Sequence, residues 1–182
     1  MRWTANRLNP HPDKTKCMYV GTRQRLSNFL SGTEIVVNNH SIFPSDQMKS
    51  LGVILDKNLN WSDHVDLIIK KVKPALSILR RAKPFVTQYI LIQIYNALIL
   101  PHFDYCSEVW SDLNKGLADT LQKLQNRAAR IITGATYDTR SKDVLKSLGW
   151  YPLHTRRTLL LASLMFKCIN NSAPDYLLIK VI

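Results

Sequence analysis

The sequence predicts an α+β fold, with short strands in residues 1–60 and a mainly α-helical region in residues 61–182. In the first region, short runs of β-branched and aromatic residues alternate with Asn, Pro and Gly. After Trp61 the apolar residues recur instead at the three- and four-residue spacing of amphipathic helices. Hydrophobic residues make up 46% of the 182-residue chain, which is enough to form a core.

The first region predicts a hairpin flanked by further short strands. An apolar run at residues 16–20 predicts the first strand. Residues 34–37 and 40–43 predict the hairpin, because the two asparagines between them tolerate the positive φ angles of a tight turn. Residues 48–55 predict one more strand, which contains Gly52.

The helical region begins with a long amphipathic helix. Ser62 is a favourable N-cap, and Asp63 lies in the first turn, where the helix dipole favours negative charge. Pro74 predicts a kink or a division of this helix, and Pro84 predicts its end. Its apolar stripe consists of Val65, Ile68, Ile69, Val72, Leu76 and Leu79.

Further helices are predicted beyond this one. The second is capped by Thr87 and broken by Pro101. The third is the clearest, because its apolar residues follow one helical stripe and Gly134 stands where a C-terminal cap belongs. A short helix over residues 141–148 and a last helix from Pro152 complete the region. The stripe of the third helix is Leu117, Leu121, Leu124, Ala128 and Ile131.

The net charge of +12, from 25 Lys and Arg against 13 Asp and Glu, predicts a polyanionic partner, of which nucleic acid is the commonest. Two sets of basic residues are candidates for contacts with phosphates, which give affinity without sequence selection. A solvated basic face without a ligand is the alternative. The first set is Lys70, Lys71, Lys73, Arg80 and Arg81. The second set is Lys123, Arg127 and Arg130, with Gln122 and Asn126 alongside to donate hydrogen bonds to the nucleic acid.

Other kinds of site find little support. The three cysteines are too far apart to indicate a disulfide framework or a zinc module. His102 and Cys106 share a spacing that could place metal ligands on one helix face, but we expect a packed pair. Asp104 and Glu108 share it too, and here we expect a buried carboxylate bonded to a Tyr or a backbone N–H. No segment resembles a membrane span or a secretory signal, so we expect an intracellular protein of the nucleus or cytoplasm that is not secreted.

Five segments stand in a fixed order along almost the whole chain. They are Leu8-Asn9-Pro10 with residues 13–18, Leu51-Gly52-Val53-Ile54-Leu55-Asp56 with Trp61 and His64, Tyr95 with residues 98–106 and Trp110, residues 121–134 around Gln125-Asn126-Arg127, and Leu148-Gly149-Trp150 with Arg156-Arg157. By order and spacing they resemble the non-LTR retrotransposon reverse transcriptases of the LINE and jockey type, in the portion after the catalytic motif.

The resemblance implies an RNA-directed DNA polymerase, in which acidic residues including an Asp-Asp pair hold two Mg²⁺ ions. This sequence contains no Asp-Asp dipeptide. In the family that Asp-Asp pair precedes the segment that matches residues 13–18 here. We therefore expect a fragment without the fingers, most of the palm and both metal sites. As it stands, the chain is then expected not to be an enzyme and to carry no cofactor, although the full-length family uses Mg²⁺.

The resemblance also implies roles for parts of the chain. Residues 1–60 resemble the edge of the palm, with a primer-grip-like hairpin in which Leu51 and Gly52 would approach nucleic acid. Residues 61–182 resemble the thumb and the helices that follow it. Lys14 falls where such polymerases place a lysine near the departing pyrophosphate. The alternatives are that Lys14 is an exposed lysine after a turn, and that Gly52 is an ordinary strand glycine.

We therefore expect a fragment that binds RNA–DNA or DNA duplexes through phosphates, without sequence selection and without catalysis. Two alternatives remain open. The chain could have a structural or protein-interaction role, with its leucine seam of Leu117, Leu121 and Leu124 buried against another protein, or with self-association through exposed apolar surface. The reading frame could also be a truncated gene model of a full-length, active reverse transcriptase.

Overall fold

The computed structural model describes residues 11, 15–27, 35–37 and 40–178. The candidate Lys14 and the turn residues Asn38 and Asn39 lie outside these residues. The chain divides into two compact units, Met1–His64 and Val65–Ile182. Strands occur in the described part of the first unit, and helices dominate the second, which confirms the predicted α+β class.

The first unit contains two antiparallel strand pairs and a one-turn helix. Helix α1 (Arg23–Ser27) comes first in the chain. In the predicted hairpin, β1 (Ile35–Val37) pairs with β2 (His40–Ile42). A second pair follows directly, in which β3 (Gln47–Ser50) lies antiparallel to β4 (Val53–Asp56).

Two strand predictions for this unit are wrong. Residues 48–55 do not form one strand, because the chain reverses at Leu51 and Gly52, whose φ angles are 45° and 88°. Positive φ at both central residues is typical of a two-residue type I′ hairpin turn. Residues 16–20 form no strand either, and Cys17 makes only an isolated bridge to Pro44.

The second unit is built from helices. Helix α2 (Ser62–Ala82), whose first residues belong to the first unit, ends before Pro84 as predicted. It runs through Pro74 as one helix, so the predicted alternative of a division there is wrong. Pro74 is exposed, so water can hydrate the Lys70 carbonyl that a proline leaves without its helical donor. The other helices are α3 (Gln88–Leu98), α4 (Leu100–Asp104), α5 (Lys115–Thr133), α6 (Ser141–Ser147), α7 (Leu153–Ile169) and α8 (Asp175–Leu178).

The ends of these helices follow from local chemistry. The Asn114 side chain accepts a hydrogen bond from the Leu117 N–H (3.0 Å) and caps α5, which the sequence analysis missed. Gly134, with φ of 75°, ends α5 as predicted. Thr87 occupies the N-cap of α3 without a side-chain capping bond, and Pro152 occupies the N-cap of α7 and not its first turn.

The core of the second unit forms around α5, which packs against α3, α6 and α7. Leu121 and Leu124 are buried and Leu117 is half-buried within this chain, so the leucine seam is not an open surface for a partner. Tyr95 of α3 stacks on Trp150, with ring centroids 4.0 Å apart and planes inclined by 23°. Burial raises the pKa of the Tyr95 hydroxyl well above its usual value.

Within the part of the chain that the structure describes, no helix is both long enough and apolar enough to cross a membrane.

Candidate nucleic-acid interface

Basic side chains from α2 and α5 face a common groove in the second unit. Two neighbouring clefts, of about 230 and about 900 Å³, share Arg80 and Arg127 in their walls, and together they form what we call the cationic groove. None of the described residues that line either cleft is acidic. The basic residues of the cationic groove are Lys73, Arg80, Lys83, Lys123, Arg127 and Arg130.

Helical periodicity explains why these residues meet. Lys73 and Arg80 are seven residues apart, which is close to two turns, so both leave α2 on the same side. Lys123, Arg127 and Arg130 follow one side of α5 for the same reason. Their charges repel one another where no carboxylate lies between them, and a bound polyanion would relieve that repulsion.

The first predicted basic set is divided by the same periodicity. Lys70, Lys71 and Arg81 are exposed but do not line the cationic groove. The pKa of His102 in α4 is lowered, first by burial and then by the charge of Lys71. Lys83, which was not a candidate, lines the groove instead, just beyond the end of α2.

Arg130 differs from the other basic residues of the cationic groove because the protein already holds it. Its Nη2 donates to the Thr139 carbonyl oxygen (3.0 Å) and to the Ser141 hydroxyl (2.9 Å). Its guanidinium also lies 5.9 Å from the ring centroid of Tyr137. Arg130 therefore fixes the loop between α5 and α6, and it adds a stationary charge to the groove.

Gln122, expected to donate to nucleic acid, is used inside the fold. Its Nε2 donates to Gln125 Oε1 (2.7 Å) and to Asn126 Oδ1 (2.9 Å), and its Oε1 accepts from the Leu153 N–H (2.8 Å) at the start of α7. Gln125 Nε2 donates to the Tyr151 carbonyl oxygen (3.1 Å). This ladder of amides fastens the beginning of α7 to α5.

The candidate pair Leu51 and Gly52 forms the exposed turn between β3 and β4 in the first unit. The residues after it support the segment. Asp56 accepts hydrogen bonds from the N–H groups of Asn58 and Trp61, each at 3.0 Å, and Trp61 is buried. His64 Nδ1 accepts from the Ile54 N–H (3.3 Å). The Asp, Trp and His of this motif therefore stabilise the hairpin and the loop that leads to α2.

Asp104, expected to be a buried carboxylate, is half-buried and has a different partner from the one expected. Arg156 of α7 binds it through two hydrogen bonds of 2.7 Å, from Nε and from Nη2, in place of a Tyr or a backbone N–H. The hydrogen bonds to Asp104 are the main cause that raises the pKa of Arg156. Among the described residues, no group of three or more His, Cys, Asp or Glu side chains could hold a metal ion. Cys106 is a half-buried free thiol.

Arg157, the next residue of α7, is buried. Its guanidinium lies 4.7 Å from the ring centroid of the fully buried Trp110. Burial lowers the pKa of this guanidinium, and the charge of Asp104 acts in the opposite direction. Arg156 thus binds α7 to the segment that contains Asp104, while Arg157 packs against Trp110 of the same segment.

Comparison with known proteins shows similarity to polymerases of transposons. The chain is 26% identical over 157 residues to a probable RNA-directed DNA polymerase from transposon BS of Drosophila melanogaster, across 85% of this chain. It is similar to transposon RNA-directed DNA polymerases. A second relative, the probable RNA-directed DNA polymerase from transposon X-element of the same fly, is 27% identical over 105 residues, or 55% of this chain. These matches confirm the predicted resemblance to non-LTR retrotransposon reverse transcriptases.

The chain spans only 16% and 11% of the lengths of these two polymerases. No family model and no solved structure matches it. The similarity therefore identifies a polymerase-like region, and the part of the polymerase to which it corresponds stays a prediction.

Proposed function

We propose that this chain is a nucleic-acid-binding portion of a transposon RNA-directed DNA polymerase. In this proposal it holds an RNA–DNA or DNA duplex through the phosphates along the cationic groove, without sequence selection. The observation that carries the proposal is the meeting of basic side chains from α2 and α5 in one groove without an acidic residue in its described walls. Contacts of this kind to the sugar–phosphate backbone give affinity and position a duplex, but they do not read its bases.

The same proposal assigns residues 61–182 to a thumb-like region and residues 1–60 to the edge of a palm. The tight β3–β4 turn supports a primer-grip-like role for Leu51 and Gly52, because a glycine with φ of 88° brings bare backbone to an exposed surface. Lys14 stays a candidate for the pyrophosphate side of the site. The working location would be inside the cell, in the nucleus or the cytoplasm, where such duplexes occur.

Catalysis by this chain alone is not part of the proposal. The polymerases that it resembles would use two Mg²⁺ ions held by clustered carboxylates. The described residues do not fit such a site, because they form no cluster of metal-binding side chains and Asp104 is paired with Arg156. The sequence has no Asp-Asp dipeptide. If a longer polypeptide supplies that pair, the chain would serve as its binding region, and sequencing transcripts upstream of the Met1 codon would reveal such an extension.

A salt titration tests the proposal. The affinity for a fluorescently labelled duplex of random sequence is measured by anisotropy at increasing salt, on DNA–DNA and on RNA–DNA duplexes. Each phosphate neutralised contributes about −0.9 to the slope of log K against log salt, so the groove predicts a slope of up to about −5 on DNA. Equal affinity for several unrelated sequences is expected. Absence of binding at low salt, or a strong preference for one sequence, would overturn the proposal.

A second candidate function, protein association, is favoured by one other surface. Large apolar side chains on α7 are exposed. Exposed apolar patches of this kind are typical of surfaces that another protein covers. These residues are Leu159, Leu161, Met165, Phe166 and Ile169. Size-exclusion chromatography with light scattering would show self-association that rises with concentration and weakens in Phe166→Ser. A monomer at all concentrations would contradict this second candidate.

A further inference from the structure

A pocket in the second unit lies between α5, α6 and the start of α7, next to the cationic groove. Its volume is about 760 Å³, within the range of about 300–1,000 Å³ that is usual for small-molecule sites. Asn126 and Ser141 line both this pocket and the groove, so the two share a wall. We call it the α6 pocket, after the helix that supplies Leu145 and Lys146 to its wall.

We propose that the α6 pocket binds an unpaired base of the nucleic-acid strand whose phosphates lie in the cationic groove. This inference rests on the proposed function and names a further ligand-binding site for it. The interior of a duplex offers only paired and stacked bases, so the ligand must be a single-stranded extension or a junction. The chemical class of the ligand is therefore a nucleotide with its flat base exposed.

The walls of the α6 pocket suit a flat aromatic ligand. Trp150 lines the pocket and is held in place by its stacking on Tyr95. Tyr151 lines it too, and its side chain is 59% exposed, while its carbonyl oxygen is fixed by Gln125. A ring that the fold already holds, as it holds Trp150, loses little freedom on binding, and stacking on aromatic side chains accepts every base. Gly149 adds an open stretch of wall, since no atom lies within 4 Å of the position of a Cβ there.

The rim of the α6 pocket suits an anion. Lys142 and Lys146 are one turn apart on α6, and both are exposed and line the pocket. None of the described lining residues is acidic. Asn126 accepts a hydrogen bond through its Oδ1, and among the described residues its Nδ2 has no protein acceptor, so Nδ2 can donate to a base carbonyl or ring nitrogen. An apolar protein segment would gain nothing from this cationic rim, and a nucleotide gains from both the rim and the aromatic walls.

The test compares three DNA duplexes that differ in one end. The first is blunt, the second carries a three-nucleotide single-stranded extension, and the third carries the same extension without bases. Anisotropy should show the extension with bases binding about tenfold more tightly than the abasic one, which has the same phosphates. Equal affinity for these two would overturn the inference, while binding of the blunt duplex separately reports on the cationic groove.

Tyr151→Ala should remove the advantage of the bases and leave the affinity for the blunt duplex unchanged. Tyr176→Ala is the matched control, because Tyr176 is equally accessible (70% exposed) and lines neither the pocket nor the groove. Lys142→Ala with Lys146→Ala provides a second variant that leaves the aromatic walls intact, and it should weaken binding of both extended duplexes. If Tyr151→Ala keeps the full advantage of the bases, or if it changes only self-association of the chain, the pocket does not hold a base.

Discussion

Helices α5 and α7 both carry basic residues within segments that resemble the polymerase family, yet these residues have different roles. On α5, Lys123 and Arg127 are exposed in the cationic groove. On α7, Arg156 binds Asp104, and Arg157 is buried against Trp110. The difference shows that a basic side chain stays exposed to a ligand where the fold brings no carboxylate or buried aromatic ring against it. Variants in the two helices should therefore separate changes in stability from changes in binding.

The largest expected effect on stability comes from Asp104→Ala. It leaves the Arg156 guanidinium, which makes two 2.7 Å bonds to Asp104, without its partner. We expect the free energy of unfolding in urea to fall by about 1–3 kcal/mol. Asp112→Ala is the control, since Asp112 is an exposed loop residue whose loss should change little. Equal stability of the Asp104 and Asp112 variants would mean that this ion pair does not hold α7.

Arg157→Met should have a smaller effect. The Nε and Nη2 atoms of Arg157 are buried without a hydrogen-bond partner among the described residues, so the buried cation gains little from its surroundings. Replacing a buried charge with an apolar side chain of similar size is often neutral, and we expect the free energy of unfolding to change by at most about 1 kcal/mol. A loss of about 3 kcal/mol or more in urea unfolding would show instead that the contact with Trp110 is a main attachment of α7.

The smallest effect concerns Lys71 and Lys73, neighbours on α2 that face different surroundings. Because Lys71 contributes to the lowered pKa of His102, Lys71→Ala should raise that pKa toward its usual value, and Lys73→Ala should raise it less. NMR titration of the His102 ring protons measures this directly. Equal changes in the two variants would mean that the charge of Lys71 does not act on His102 more strongly than that of Lys73.

The lowered pKa also fixes the pH dependence of stability. Because the unfolded chain takes up a proton on this histidine more readily than the folded chain, the contribution of His102 to stability is present above the usual pKa of about 6.5 and is lost as the pH falls below it. Lys71→Ala should reduce that loss. Urea unfolding at pH 7 and at pH 5 would show whether it does.

Local chemistry predicted much of the fold. The stripe of α5 and the glycine at its end give α5 correctly, and the antiparallel pairing of β1 with β2 follows from two short runs around a turn. The residue pattern alone missed the turn at Leu51 and Gly52, where the family resemblance implied a hairpin, because its first residue is leucine, whereas asparagine usually marks a type I′ turn. Periodicity also predicted which cations of α5 share a side.

Contacts between distant residues could not be predicted in this way. Asp104 and Arg156 lie 52 positions apart, and Gln122 lies 31 positions from Leu153. Nothing in the local sequence pattern indicates that an arginine or glutamine on the polar side of a helix binds another part of the same chain. For the same reason the sequence could not show that α2 supplies Lys73 and Arg80 to the groove of α5 while Lys70 and Arg81 remain outside it.

The most direct test of the central claim is the salt dependence of duplex binding in two double variants of equal charge. Lys123→Ala with Arg127→Ala removes two cations from the cationic groove, and Lys71→Ala with Arg81→Ala removes two exposed cations outside it. If the groove holds the duplex, the first pair should reduce the magnitude of the slope of log K against log salt by about 1.8, and the second pair should leave it nearly unchanged. Equal reductions in the two variants would show that net charge alone attracts the duplex, and would contradict a specific binding groove between α2 and α5.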